Sequence, residues 1–120
     1  MINIKHFLDT PAPADGARIW VEPFGLTRDL CQWCRVNVLL PEIGPPRDLW
    51  AWFQEHPDGY EYFRGKYHLH LERGPHRKVL GELAQFAGES DITLLHQSDE
   101  PGENTATALF EFLSELRARL

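Results

Sequence analysis

"SDITLLHQ", residues 90–97, decides the fold. Ile92, Thr93, Leu94 and Leu95 follow one another with no charged residue between them. A strand with one wet face alternates apolar and polar residues, and a surface helix spaces its apolar residues by three or four. A short, nearly continuous run suits neither, but it fits a strand covered on both faces, the usual state of strands in parallel sheets.

Two shorter strands are legible near the start. "INIKHF" (2–7) alternates Ile2 and Ile4 with Asn3 and Lys5, and "ARIWV" (17–21) follows the turn-forming "TPAPADG" with β-branched and aromatic residues. A third strand is expected over Val36–Leu40, where apolar residues alternate and Pro41 opposes a helix; a short helix over Leu30–Arg35 is the other reading of that region. Three helices come next. "PPRDLWAWFQEH" places Pro46 for a first helical turn and spaces Leu49, Trp50 and Phe53 helically. "PDGYEYFRGKYHLHLERG" puts Tyr60, Phe63, Tyr67 and Leu71 on one stripe, with Gly74 as its cap. "PHRKVLGELAQFAG" aligns Val79, Leu83 and Phe86 and stops at Gly88. A last helix from about Asn104 buries Ala106, Leu109, Phe110, Leu113 and Leu116.

The pattern predicts a small α/β protein: one domain over residues 1–120, an at least partly parallel sheet of about three or four strands covered by helices on both faces, and a C-terminal helix. Length and composition agree, with 120 residues, 42% hydrophobic and 25% charged. The net charge of −6 argues against a protein built to hold nucleic acid, whose phosphates call for Lys and Arg. The basic stretch Arg73, His76, Arg77 and Lys78 reads as a solvated helix start. No signal-peptide core and no membrane-length apolar run is present, so a cytoplasmic location is expected.

"CQWC" (31–34) has the spacing of a redox or metal pair. A reactive thiol pair sits at a helix N-terminus, and the β-branched, proline-bearing residues after Cys34 offer none. A structural zinc needs four ligands, and no second pair exists. Cys31 and Cys34 are therefore read as small packing thiols, and neither a metal nor a cofactor is expected. Of the six histidines, His68 and His70 lie about 200° apart on a helix and cannot grip one metal. His56 is placed to cap a helix C-terminus. His6 and His96 differ, because each ends a strand, as Glu22 does. Ligands of open α/β sheets bind outside the carboxyl ends of strands, so His6, Glu22, His96 and Asp99 are expected to meet in one crevice as candidate catalytic groups. Asp99, Glu100 and Glu103 crowd the start of the last helix and favour a cation or amine there over a phosphate. Trp50 and Trp52 cannot both face inward from one helix, so one of them is expected exposed, where it would serve an interface.

Read together, "RIWV", "LWAWF", "HPDGYEYFRGKYHLHL" and "ITLLHQSDE" resemble the YeaO-like family of small bacterial proteins, domain of unknown function 488. Its members run "RVWVDRLWPRG", "LRKWF", "HDP…W…F…RY…EL" and "VTLLYAA.DEEHNHA". Arg18, Trp20, Val21, Trp52, Phe53, Pro57, Phe63, Arg64, Tyr67, Leu71, Thr93, Leu94, Leu95, Asn104 and Ala106 carry the resemblance over nearly the whole chain. It implies a compact α/β fold without an agreed activity, and it marks Arg18 and Asn104 as candidate ligand-binding residues. Two departures stand out. "DRLWPRG" is replaced by "EPFGLTR" (22–28), which keeps only the acid, and "HNHA" by "ENTA" (103–106), which loses both histidines. The departures favour a non-catalytic ligand-binding or protein-interaction module with a degenerate site. The alternative is a small metal-assisted or acid–base hydrolase-like enzyme. The expected partners are a small polar ligand and a second copy of the chain in a homodimer, with neither nucleic acid nor membrane.

Overall fold

The computed structural model describes residues 1–119. Four strands, β1 (Ile2–His6), β2 (Ala17–Trp20), β3 (Val38–Leu39) and β4 (Ile92–His96), form one sheet in the order β1-β4-β2-β3, and every pairing is parallel. The last strand therefore lies in the middle. Ile92 stands opposite both Ile2 and Ala17, and His6 stands opposite His96. All five residues of β4 are buried, as the unbroken apolar run requires.

Five helices surround the sheet: α1 (Arg28–Trp33), α2 (Arg47–Glu55), α3 (Tyr60–Arg73), α4 (Arg77–Glu89) and α5 (Thr105–Ala118). The connections β1→β2 and β2→β3 step one way across the sheet and β3→β4 steps back. Right-handed crossovers put the first two on one face and the third on the other. Side-chain contacts agree. On the front face Ile19, Ile92 and Leu94 join one core with Phe63, Tyr67 and Leu71 of α3, Leu80, Leu83 and Ala84 of α4, and Leu109 and Leu113 of α5. On the back face Thr93 donates to the Asp15 carbonyl, and the Arg18 guanidinium donates to Asp15 and to the Cys34 carbonyl at the end of α1. Both faces are covered, but unequally: four helices in front, one short helix and a 3-10 turn (Pro13–Asp15) behind.

The middle helix buries all four of the aromatic and leucine residues expected of it. Two stripes are turned from their expected positions. In α4 the buried residues are Leu80, Leu83, Ala84 and Ala87, while Phe86 is exposed and Gly88 lies inside the helix. Small alanines allow close approach to α5, and a pattern read from large residues passes over them. In α5 the buried aromatic is Phe112 in place of Phe110. Gly74 does cap α3, in an extended conformation. Trp50 and Trp52 are both half-buried on different partners: Trp50 against Phe24 at 5.3 Å, Trp52 between His56 and Tyr62. The tryptophan left in solvent is Trp33, 79% exposed. Among the described residues no helix is long and apolar enough to cross a membrane.

Both readings of residues 28–40 hold in part, because α1 takes the residues that leave β3 only two long. The turn between them closes with Val36 N–H on the Cys31 carbonyl and Arg35 N–H on the Gln32 carbonyl, the paired bonds of a helix C-terminus that asks for glycine. Arg35 occupies that position with φ 53°. A left-handed non-glycine residue costs about 1–2 kcal/mol, against the extra freedom a glycine has in the unfolded chain. Arg35→Gly is expected to raise stability by about 0.5–1 kcal/mol in urea unfolding and Arg35→Ala to give no such gain. Equal values for the two would show that the turn is unstrained.

Candidate functional site

The chain leaves β4 toward the face of α5 and leaves β1 and β2 toward the other face. Diverging exits open a crevice at the carboxyl rim of an α/β sheet. Here β4 diverges from both of its neighbours, so the rim has two crevices, one on each side of the β4–α5 loop.

The crevice between β4 and β2 is a cavity of about 200 Å³ whose lining includes Glu22, Trp50, Phe53, Gln97, Asn104 and Thr105. Glu22 lies two residues beyond β2, and its position is set on both sides. Its carbonyl accepts the Trp20 indole N–H at 3.0 Å. The preceding carbonyl, that of Val21, is pressed by the turn at Gly44, where a Cβ would stand only 1.8 Å from it. Tyr67 locks the same turn by donating to the Ile43 carbonyl at 2.7 Å. Across the crevice Gln97 donates to the Phe24 carbonyl at 2.7 Å, joining the loops that follow β4 and β2. Gly25, φ 101°, makes room for that side chain.

Glu22 is 3% exposed. Burial pushes its carboxyl above the usual range, while the polar groups of Gln97, Thr105 and Trp50 draw it partly back. These three are the carboxyl's hydrogen-bonding neighbours, although Oε2 itself is left without a well-formed bond among the described residues. Trp50 Nε1, the indole donor among those neighbours, is likewise buried without a well-formed bond, so donor and acceptor complement each other beneath the cavity wall.

The crevice between β1 and β4 holds His6, His96, Asp9 and Asp99. The two imidazoles meet edge to face, centroids 5.5 Å apart, and His6 Nε2 lies 3.6 Å from Asp99 Oδ1. His6 Nδ1 accepts the Leu8 amide, and His96 Nδ1–H donates to the Ser98 carbonyl at 2.8 Å. Burial, helped by His6, lowers the pKa of His96 against the pull of Ser98, Asp9 and Asp99. Asp99 is fully exposed. Among the described residues no three His, Cys, Asp or Glu side chains are grouped to hold a metal.

The structure thus brings His6, His96 and Asp99 together and puts Glu22 in the neighbouring crevice. The single site expected from strand ends is divided because β4 leaves on the opposite side from both neighbours. Asn104 lines the Glu22 crevice, but its side chain is engaged as the cap of α5, accepting from Thr107 N–H and donating to the Glu100 carbonyl. Arg18 belongs to neither crevice. It is buried on the back face, donating to Asp15 and the Cys34 carbonyl. Cys34 lies at the C-terminal end of α1, the reverse of a reactive thiol's position, and burial raises its pKa. His56 caps α2 by its ring bond to the Trp52 carbonyl. Sequence reasoning missed Trp50, Gln97 and Thr105 as site residues. Gln97 carried a signal, following the last residue of β4; Trp50 carried none, because its helix points it at the rim only once α2 is docked.

A family model described as the inactive DUF488-N3 subclade matches residues 1–119. No curated protein and no solved structure matches the chain.

Between the ordinary carboxyl value of 4.5 and its raised native value, Glu22 binds a proton more tightly in the folded than in the unfolded chain. Stability therefore falls as pH rises through that window and is flat above it. Glu22→Gln is expected to be more stable than the parent at pH 7.5 by about 1–3 kcal/mol, the cost of an unsatisfied buried group. The difference should vanish below pH 4.5 in denaturant unfolding across pH. A variant less stable at pH 7.5 would show that the carboxylate is satisfied.

Proposed function

The chain belongs to the inactive DUF488-N3 subclade, and we propose that it is a non-catalytic binding module whose ligand site is the crevice between β4 and β2. One observation carries this reading: Glu22, buried and with its carboxyl pushed above the usual range, lies on the wall of a cavity that Trp50, Gln97, Asn104 and Thr105 also line. A cavity of about 200 Å³ suits a small polar molecule, below the roughly 300–1,000 Å³ of sites for drug-sized ligands.

The wall favours recognition over chemistry. It presents no Cys, His or Lys, so Glu22 has no imidazole or amine to work with in proton transfer. An acid–base reading of His6, His96 and Asp99 has less behind it. Both imidazoles are anchored through Nδ1, but Asp99, the carboxylate 3.6 Å from His6 Nε2, is fully exposed to solvent, which weakens the pairing.

A thermal-shift panel of small polar compounds, run on the parent, Trp50→Phe and His96→Ala, tests the assignment. A ligand of the native state stabilises it by mass action, by about 2.7 kcal/mol at a hundred times Kd. Compounds that stabilise the parent are expected to stabilise His96→Ala equally and Trp50→Phe far less. Responses kept by Trp50→Phe and lost by His96→Ala would move the site to the other crevice.

A further inference from the structure

One side of β1 is an open edge of the sheet, and we propose that it pairs antiparallel with β1 of a second copy about a twofold axis at Asn3, joining two four-stranded sheets into one. The ladder to β4 uses alternate residues of β1: the Met1 carbonyl accepts Ile92 N–H, and Phe7 N–H donates to the His96 carbonyl. The odd-numbered residues therefore face β4, and the amides and carbonyls of Ile2, Ile4 and His6 point out of the sheet. At His6 the turn that follows takes both, the N–H on the Asp9 carboxylate and the carbonyl on Asp9 N–H. Among the described residues nothing takes those of Ile2 and Ile4.

The free groups are their own complement. Opposed residues of an antiparallel pair exchange two hydrogen bonds, so Ile2 set against the partner's Ile4, and Ile4 against the partner's Ile2, satisfies all of them. That register brings Asn3 opposite the partner's Asn3 in a close non-bonded pair, where each amide can donate to the other and accept from it. A longer foreign strand would run on into the Asp9 turn, whereas the twofold pairing stops short of it. Side chains agree. Ile2 and Ile4, in register with Ile92 and Leu94, lie on the front face only half-buried, and opposing isoleucines would cover them. Met1 is 70% and Phe86 46% exposed, and the Ala87 carbonyl next to Phe86 holds the Met1 ammonium, so both extend this apolar margin. Lys5 is turned to the back face onto Asp15 at 2.8 Å and does not guard the edge as edge lysines do. The opposite edge is blunted: β3 is two residues long and Pro41 follows closely.

Hydrogen exchange reads the edge directly. The amides of Ile2 and Ile4 are expected to exchange at least about tenfold more slowly at concentrations where sedimentation equilibrium finds the dimer than after dilution to the monomer, with Asn3 and Lys5 changing far less. Asn3→Asp sets two carboxylates face to face at the axis and is expected to raise the dimer Kd about fivefold or more. In a Cys31→Ser background, Asn3→Cys is expected to give a disulfide-linked dimer with oxidised glutathione, since the close pair lies within disulfide reach, and Lys66→Cys on α3 to give none. A parent monomeric at every concentration would leave the edge to a foreign strand and overturn the second copy. A dimer in which Ile2 and Ile4 exchange as fast as in the monomer would overturn the edge as its interface.

Discussion

The structure depends on where β4 goes. It is the last strand of the chain and the middle strand of the sheet, paired in parallel with β1 on one side and β2 on the other. Its partners are therefore about ninety and seventy-five residues away in sequence, and the sheet is incomplete until the chain has folded back through α2, α3 and α4. Such non-local pairing closes late and slowly. The N-terminus shares in it: Met1 donates its ammonium to the Ala87 carbonyl, and its own carbonyl accepts Ile92 N–H, tying the first residue to the approach of the last strand. The same insertion makes the rim. A central strand that exits toward one face while both neighbours exit toward the other opens two clefts, and each functional group at the rim is assigned to one of them by the side of β4 on which it lies.

Two carboxylates show what distinguishes a scaffold from a site. Asp15 and Glu22 are each 3% exposed, and their pKa values move in opposite directions. Burial raises both. At Asp15 it is outweighed by hydrogen bonds from Lys5, the Ala12 amide and Arg18, which hold the carboxyl below its usual range. Those partners span β1, β2 and the turn before β2, so the charge joins the back face where only one short helix covers it. Glu22 has no cation beside it and one oxygen without a partner. Glu22 also lies deeper in the protein than Asp15, so the two carboxyls differ in both depth and partners.

The legible parts of the sequence were those where one local rule acts alone. The run Ile92–Leu95 had to be a strand buried on both faces, and the stripe Tyr60, Phe63, Tyr67, Leu71 had to be the buried side of a helix. The stripe of α4 was misplaced because close packing there uses Ala84 and Ala87, whose value lies in what they allow to approach. His6 and His96 were rightly placed side by side, since parallel register follows from strand ends alone. That Glu22 lies across β4 from them depends on which face each connection takes, and local pattern does not contain that. Trp50 was weighed only for exposure. Its place on the cavity wall comes from the docking of α2 beside the loops that follow β2 and β4.

The departures from the family pattern gain meaning from this geometry. Where the resembled family reads His-Asn-His, this chain reads Glu103, Asn104 and Thr105, and all three line the Glu22 crevice. Asn104 has a reason to persist whatever the site does, because it caps α5 through Thr107 and anchors the loop through Glu100. The flanking positions carry no such duty. Replacing two imidazoles there leaves a carboxylate at the rim and a hydroxyl beside Glu22. The second departure acts on the opposite wall. The segment that follows the retained acid now brings Phe24 against Trp50, with Arg47 over the outer face of the Phe24 ring at 5.0 Å. That packing fixes the Trp50 ring on the cavity wall. Both departures bear on the walls of the same crevice.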